Sequence, residues 1–267
     1  MKKEWKIFLT AIMYFTRIRV PRIVDHSPEY LQKAPRYFPL VGIIVGAICS
    51  LLFLVFARYV STDSGILASM IAGLLVTGAF HEDGFADACD GFGGGWTKEK
   101  ILGIMKDSRI GAFGAIGLIA ILGSKFLLLR EMHRFVPDIM ICPLVFNQRR
   151  YLACLIAAHS LSRLMPVLVM QFTPYTADPD QSKSKPLTTR KLNPAELGAA
   201  ILFALIPFVF LSWHFLLAIL PVLYATYELR QYFKKWIGGY TGDCMGAIQQ
   251  VSEIVLYLGF IIVWKYI

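Results

Sequence analysis

The run PLVGIIVGAICSLLFLVFA, residues 39–57, carries no charged side chain and is almost wholly apolar. A bilayer core of about 30 Å needs roughly 20 such residues in one helix. This run therefore reads as a membrane span. Further apolar runs follow at 65–80, 111–129, 151–172, 197–212, 214–228 and 251–267. They predict an all-α, polytopic transmembrane helix bundle of about seven spans. Residues 1–267 form one integral membrane domain in this reading. Composition agrees: 56% of residues are hydrophobic and only 17% charged, with mean hydropathy +0.57. Soluble proteins carry about 25% charged residues. Pro207 and Pro221 fall inside the fifth and sixth runs, where neighbouring helices can satisfy freed backbone groups. The run 135–146 is too short to cross and reads as interfacial or re-entrant. Residues 1–37 read as a cytoplasmic segment with an amphipathic or interfacial helix. No small-residue cleavage site follows their apolar stretch, so no cleavable signal is expected there.

The net charge is +9. With the N-terminus inside, the inward loops hold 19 Lys and Arg against six in the outward ones. That bias is the positive-inside signal and predicts a cytoplasmic N-terminus. It also accounts for the basic charge, so nucleic acid is not an expected partner; the lipid bilayer is. Five cysteines are scattered without a CxxC pair. Neither a disulfide framework nor a zinc site is expected.

The second run ends in FHEDGFADACDGFGGG, residues 80–95. Asp83, Asp87 and Asp90 are spaced i, i+4, i+7, one stripe of a helix. A charge in mid-bilayer costs on the order of 2.5–3.5 kcal/mol, so the stripe must face the bundle interior or a wet cavity. Like charges this close need protonation or a cation between them. Carboxylate oxygens are hard ligands suited to magnesium or calcium, and magnesium commonly bridges carboxylates to substrate phosphates. A solvated acidic loop is the competing reading. A second element, IMKDSRIGAFGAIG (104–117), adds Asp107 as a further acid, with Lys106 and Arg109 as phosphate contacts or as flanking charge. Its glycines at 111, 114 and 117 lie near one helix face. A third, AAHSLSRLMP (157–166), puts His159 and Arg163 on one face within a span. They suit a substrate anion or a structural ion pair. A fourth, GGYTGDCMGA (238–247), places Asp243 in a glycine-rich turn before the last span.

Together these four motifs, with FTRIRVPR and RYFPLVGIIVG near the N-terminus, resemble the cobalamin synthase (adenosylcobinamide-GDP ribazoletransferase) family, in the family's order and over most of the chain. The resemblance implies a multi-pass enzyme of the bacterial inner membrane with its site facing the cytoplasm. It implies magnesium as cofactor, and adenosylcobinamide-GDP and α-ribazole (or its 5′-phosphate) as substrates that combine with release of GMP. On that reading Asp83, Asp87, Asp90 and Asp107 are the metal ligands. Lys106, Arg109, His159 and Arg163 bind substrate. Asp83, Asp87, Asp243 and His81 are catalytic, and the general base is left open among His81, Asp243 and a metal-free aspartate. Glu82 stands where the family has an apolar residue and falls off the stripe. The loop 173–196 lacks the family's Gly-Lys step, though it holds Lys183 and Lys185. A fainter likeness links the Asp-Gly cluster to CDP-alcohol phosphotransferases. An ion-coupled transporter is a third reading, but no internal repeat supports it. The sequence leaves the oligomeric state open, a homo-oligomer included.

Overall fold

A computed structural model describes residues 2–21, 24, 27–135, 144–176 and 190–267. Residues 136–143 of the run 135–146, and Lys183 and Lys185, lie outside the described residues. Among the described residues the regular elements are helical, apart from one isolated bridge between Tyr175 and Tyr240. The all-α expectation holds, and its cause is general. Helices satisfy their own backbone groups in lipid, where no water can do so.

Helix α1 (Lys2–Phe15) buries Ile7, Ala11, Ile12 and Phe15 along one face. After the short α2 (Pro28–Lys33) and a 3-10 turn (Ala34–Tyr37), α3 (Phe38–Tyr59) carries the opening apolar run. It packs against α4 (Thr62–Thr77) and against the long α8 (Leu144–Phe172). Gly42 and Gly46 make the second contact possible. A Cβ on Gly42 would lie 2.8 Å from Ser160 Cα, and one on Gly46 2.9 Å from Ile156 Cα. This is the small-residue spacing that lets membrane helices touch backbone to backbone. Ser160 seals the seam by donating to the Pro39 carbonyl at 2.9 Å.

The carboxylates do not simply terminate α4. Gly78 and Ala79 both adopt left-handed conformations, at φ 68° and 56°. Gly78 closes α4 by donating to the Leu74 carbonyl, the usual glycine stop. The chain then restarts as α5 (Phe80–Gly94), bent by 87° from α4. Glu82 and the three aspartates of the stripe all sit on this second helix. After α6 (Lys98–Met105), α7 (Ala112–His133) packs on α5 and on α11 (Gly242–Tyr266). Helices α8 and α11 are the inner ones: 83% and 72% of their apolar windows are buried, against 17% for α7.

By length and hydropathy, four stretches among the described residues can cross a bilayer: Pro28–Tyr59, Ala112–His133, Gln148–Phe172 and Gly242–Tyr266. Counting α4 and α5 as one bent span gives five. The expected seven differ from this at 197–212 and 214–228. There the chain is α9 (Pro194–Leu205), a 3-10 turn (Ile206–Phe210), a second 3-10 turn (Trp213–Ala218) and α10 (Ile219–Ile237). Pro207 stands where α9 tightens into the first turn, since proline removes a helical donor. Helix and turn together reach about 28 Å, yet no single helix in 197–212 has the length of a span.

Candidate active site

Two glycines build the centre of the site. Helices α5 and α11 cross where Gly84 meets Gly246. A Cβ on Gly84 would lie 3.0 Å from Asp243 Cα, and one on Gly246 2.8 Å from the His81 carbonyl oxygen. The close crossing brings Asp243, in the first turn of α11, beside the acidic stripe of α5. Thr241 caps that turn by accepting from the Cys244 amide at 3.3 Å. Asp87 stands within electrostatic reach of Asp243, Asp83 and Asp90. Asp83 is exposed, while Asp87 and Asp243 are half-buried. Among the described residues no salt bridge reaches Asp83, Asp87 or Asp243. Negative charge is therefore concentrated at one edge of the crossing, with no ion pair among the described residues to offset it.

The other members of the expected metal set are already engaged. Asp90 is buried and accepts from the amides of Gly111 at 2.7 Å and Gly114 at 2.8 Å, one on each oxygen. It caps the N-terminus of α7 from a neighbouring helix, where the macrodipole also favours a negative charge. Cβ atoms on Gly111 or Gly114 would collide with its carboxylate, and one on Gly117 would meet the Cys89 sulfur at 2.7 Å. The one-face spacing of these glycines thus serves the α5–α7 contact. Asp107 lies on the surface loop after α6 and pairs with Arg109 at 2.7 Å. The guanidinium's hydrogen bonds hold the Asp107 carboxyl down at about 2. Lys106 is exposed on the same loop.

His159 and Arg163 belong to a different assembly, an interior polar network. Arg163, 2% exposed, donates to the His159 carbonyl at 2.7 Å. The hub is Glu253, which accepts from Gln249 at 2.8 Å and Tyr257 at 2.9 Å and pairs with Lys125 at 3.3 Å. His159 Nδ1 stands 3.9 Å from the same carboxylate. Lys125 also donates to Gln250, which in turn donates to Glu82 at 2.9 Å. Glu82 is thus turned away from the stripe, as its spacing predicts. The hub escaped the sequence reading. Its one available signal was a lone acid (Glu253) and a lone base (Lys125) in two different apolar spans, because intramembrane charges pair with one another.

His81 is 2% exposed and sits between Phe38, stacked at 5.6 Å, and Phe80, edge-on at 5.4 Å. Its Nε2 is buried and has no hydrogen-bond partner among the described residues.

The donor chemistry fits magnesium. Asp83 and Asp87 are hard oxygen ligands, and no salt bridge among the described residues reaches them. Among the described residues no group of three or more His, Cys, Asp or Glu forms a ready cage. One or two carboxylates plus substrate phosphates is how magnesium is commonly held.

The comparisons converge on one family. The model of the cobalamin-5-phosphate synthase family matches residues 7–261. A protein of Leptospira interrogans named adenosylcobinamide-GDP ribazoletransferase is 40% identical over 99% of this chain and 98% of its own. Proteins of the same name from Vibrio cholerae and Shewanella frigidimarina are 40% and 42% identical, over 97% and 96% of this chain and 94% of their own lengths. No solved structure matches. With two of the motifs meeting at one helix crossing and the family's model covering nearly the whole sequence, the chain belongs to the cobalamin-5-phosphate synthase family.

Proposed function

We propose that this protein joins adenosylcobinamide-GDP to α-ribazole, or to its 5′-phosphate, with release of GMP. The observation that carries this reading is the group of carboxylates at the Gly84–Gly246 crossing, which no salt bridge among the described residues reaches. Relatives at 40% identity bear the name of that activity over almost their whole length.

Phosphoryl transfer to a ribose hydroxyl asks for positioning and for control of charge. Asp83 and Asp87 would hold magnesium, whose chemistry when bound is to neutralise the diphosphate and stabilise the departing GMP. The 3′-hydroxyl oxygen of the nucleoside attacks the phosphorus nearer cobinamide. A new P–O bond forms there, the bond to the GMP oxygen breaks, and the hydroxyl proton must leave. Asp243 is the acceptor we assign. It flanks the stripe from a second helix and, among the described residues, accepts only a long 3.4 Å contact from Thr241. His81 is walled in by rings and does not take this role. Lys106 and Arg109, on an exposed loop near the start of α7, would hold outer phosphate oxygens. Asp90 positions α7 instead of binding metal. The charge bias of the loops supports a site on the cytoplasmic side of the bacterial inner membrane, where soluble nucleotides arrive.

The test is an assay of membranes holding this protein, supplied with adenosylcobinamide-GDP and α-ribazole. GMP release is the expected result. Absence of GMP, with turnover of a CDP-linked alcohol donor instead, would move the protein to the phospholipid-type reaction.

A further inference from the structure

The run GFGGG, residues 91–95, closes the stretch that carries the aspartates. Its glycines receive side chains from the two helices that follow. A Cβ on Gly91 would lie 2.7 Å from Met105 Cγ, one on Gly95 2.6 Å from Ile101 Cγ1, and one on Gly93 2.5 Å from the Phe113 ring. Helix α6 thus folds back along the end of α5, where only glycine leaves room for it. Met105 is the last residue of α6 and is 6% exposed. Its sulfur also lies 3.8 Å from the hydroxyl of Thr241, the cap of α11 two residues before Asp243. Met105 therefore touches α5 and the start of α11, the two helices that carry the carboxylates. The loop 106–110 leaves from this seat and ends at Gly111, whose amide donates to Asp90 at 2.7 Å. Its two ends are tied to neighbouring residues of α5, Gly91 and Asp90. Asp87 lies one turn back from Gly91 on the same face, about 6 Å along the axis. Within the loop, Asp107 accepts from Arg109 Nε at 3.0 Å and Nη2 at 2.7 Å, which leaves Nη1 without a partner among the described residues.

We propose that Met105, seated on Gly91 and against Thr241, positions the 106–110 loop so that Lys106 and Arg109 meet the phosphates of the nucleotide donor beside Asp87. The inference rests on the function proposed above and adds what holds its phosphate contacts in place. Met105 touches no substrate; it is a positioning residue. A short loop tied at both ends has little conformational freedom left to lose when a ligand arrives, so its cations bind at a smaller entropic cost. Arginine gains most from this, because its planar fork must meet phosphate oxygens in one orientation. The glycine run then has a purpose in the site: it brings a loop with two cations alongside two carboxylates, the pairing that a metal-bound diphosphate requires.

Steady-state kinetics of the purified protein in detergent test this with Met105→Ala and Gly91→Ala, which attack one seat from its two sides. Each is expected to raise the KM for adenosylcobinamide-GDP about tenfold, the scale of one charge-assisted contact, with the α-ribazole KM within about twofold of wild type. Met105→Leu, which nearly keeps the volume, should rescue the donor KM to within about threefold. In a Lys106→Met, Arg109→Met background, itself raised in donor KM, Met105→Ala should add less than about twofold, because a residue that acts through the loop has nothing left to position. A full further rise in that background would overturn the proposal. So would an unchanged donor KM in both alanine variants, or equal rises in both KM values, the mark of a generally loosened fold. Limited trypsin digestion reads the loop without turnover. Cleavage after Lys106 and Arg109 is expected to be at least about fivefold faster in both alanine variants than in wild type and Met105→Leu, since cutting needs local opening. Equal cleavage rates would overturn the proposal. If wild type releases no GMP, the function fails first, and the digestion alone decides whether Met105 holds the loop.

Discussion

Asp83 and Asp90 share one helix stripe, yet their surroundings assign them different work. Asp83 is exposed and has no salt bridge among the described residues, whereas Asp90 is buried under two amides of the next helix. Removing such a cap costs about 1–2 kcal/mol. Asp90→Ala is therefore expected to lower the thermal unfolding midpoint in detergent, while Asp83→Ala leaves it unchanged. Equal midpoints for the two variants would place Asp90 among the functional acids. Lys125 offers a second case. Breaking a buried pair strands the remaining charge at about 3–5 kcal/mol, so Lys125→Met should destabilise through Glu253, read by the same unfolding measurement. A midpoint at the wild-type value would mean that the Glu253 hub stands without its lysine.

Helix geometry decides which motifs become neighbours. The α5–α11 crossing depends on Gly84 and Gly246, whose added Cβ atoms would press on backbone that cannot yield. Gly246→Ala is expected to cost about 1–3 kcal/mol by overpacking and to reduce turnover at least tenfold by separating Asp243 from Asp87. Gly103→Ala, with nothing within 4 Å of its added carbon, should leave turnover unchanged; parallel losses in both would deny the crossing its special role. Much of this scale was legible in advance. The apolar runs located α3, α7, α8 and α11, and the i, i+4, i+7 spacing of the aspartates survived on one helix. The 87° turn after Gly78 was not legible, because periodicity does not register a change of axis between two helical segments. Nor was the pairing of Lys125 with Glu253, which lie 128 residues apart in sequence and meet only through the packing of α7 on α11. The shortfall from seven runs to four or five span-length stretches also belongs here. Hydropathy counts apolar residues, and the 3-10 turns on either side of Leu211 divide two such runs into shorter pieces.

At the scale of the molecule, a helix bundle gathers carboxylates at the α5–α11 crossing and keeps a separate polar network around Glu253 inside. The loop charges predict that a reporter fused after Gly95 reads as cytoplasmic; a periplasmic signal would invert the topology. The central claim is that Asp83 and Asp87 hold magnesium against a diphosphate on this face. Its most direct measurement is GMP release by purified wild-type, Asp83→Asn and Asp87→Asn proteins from adenosylcobinamide-GDP and α-ribazole, with magnesium removed by chelation and then restored. Wild-type turnover is expected to disappear on chelation and to return with magnesium. Both variants should insert and unfold like wild type but lose at least about a thousandfold in kcat, the scale of losing a principal charge-stabilising group. Wild-type turnover that survives chelation, or full activity in either well-folded variant, would contradict it.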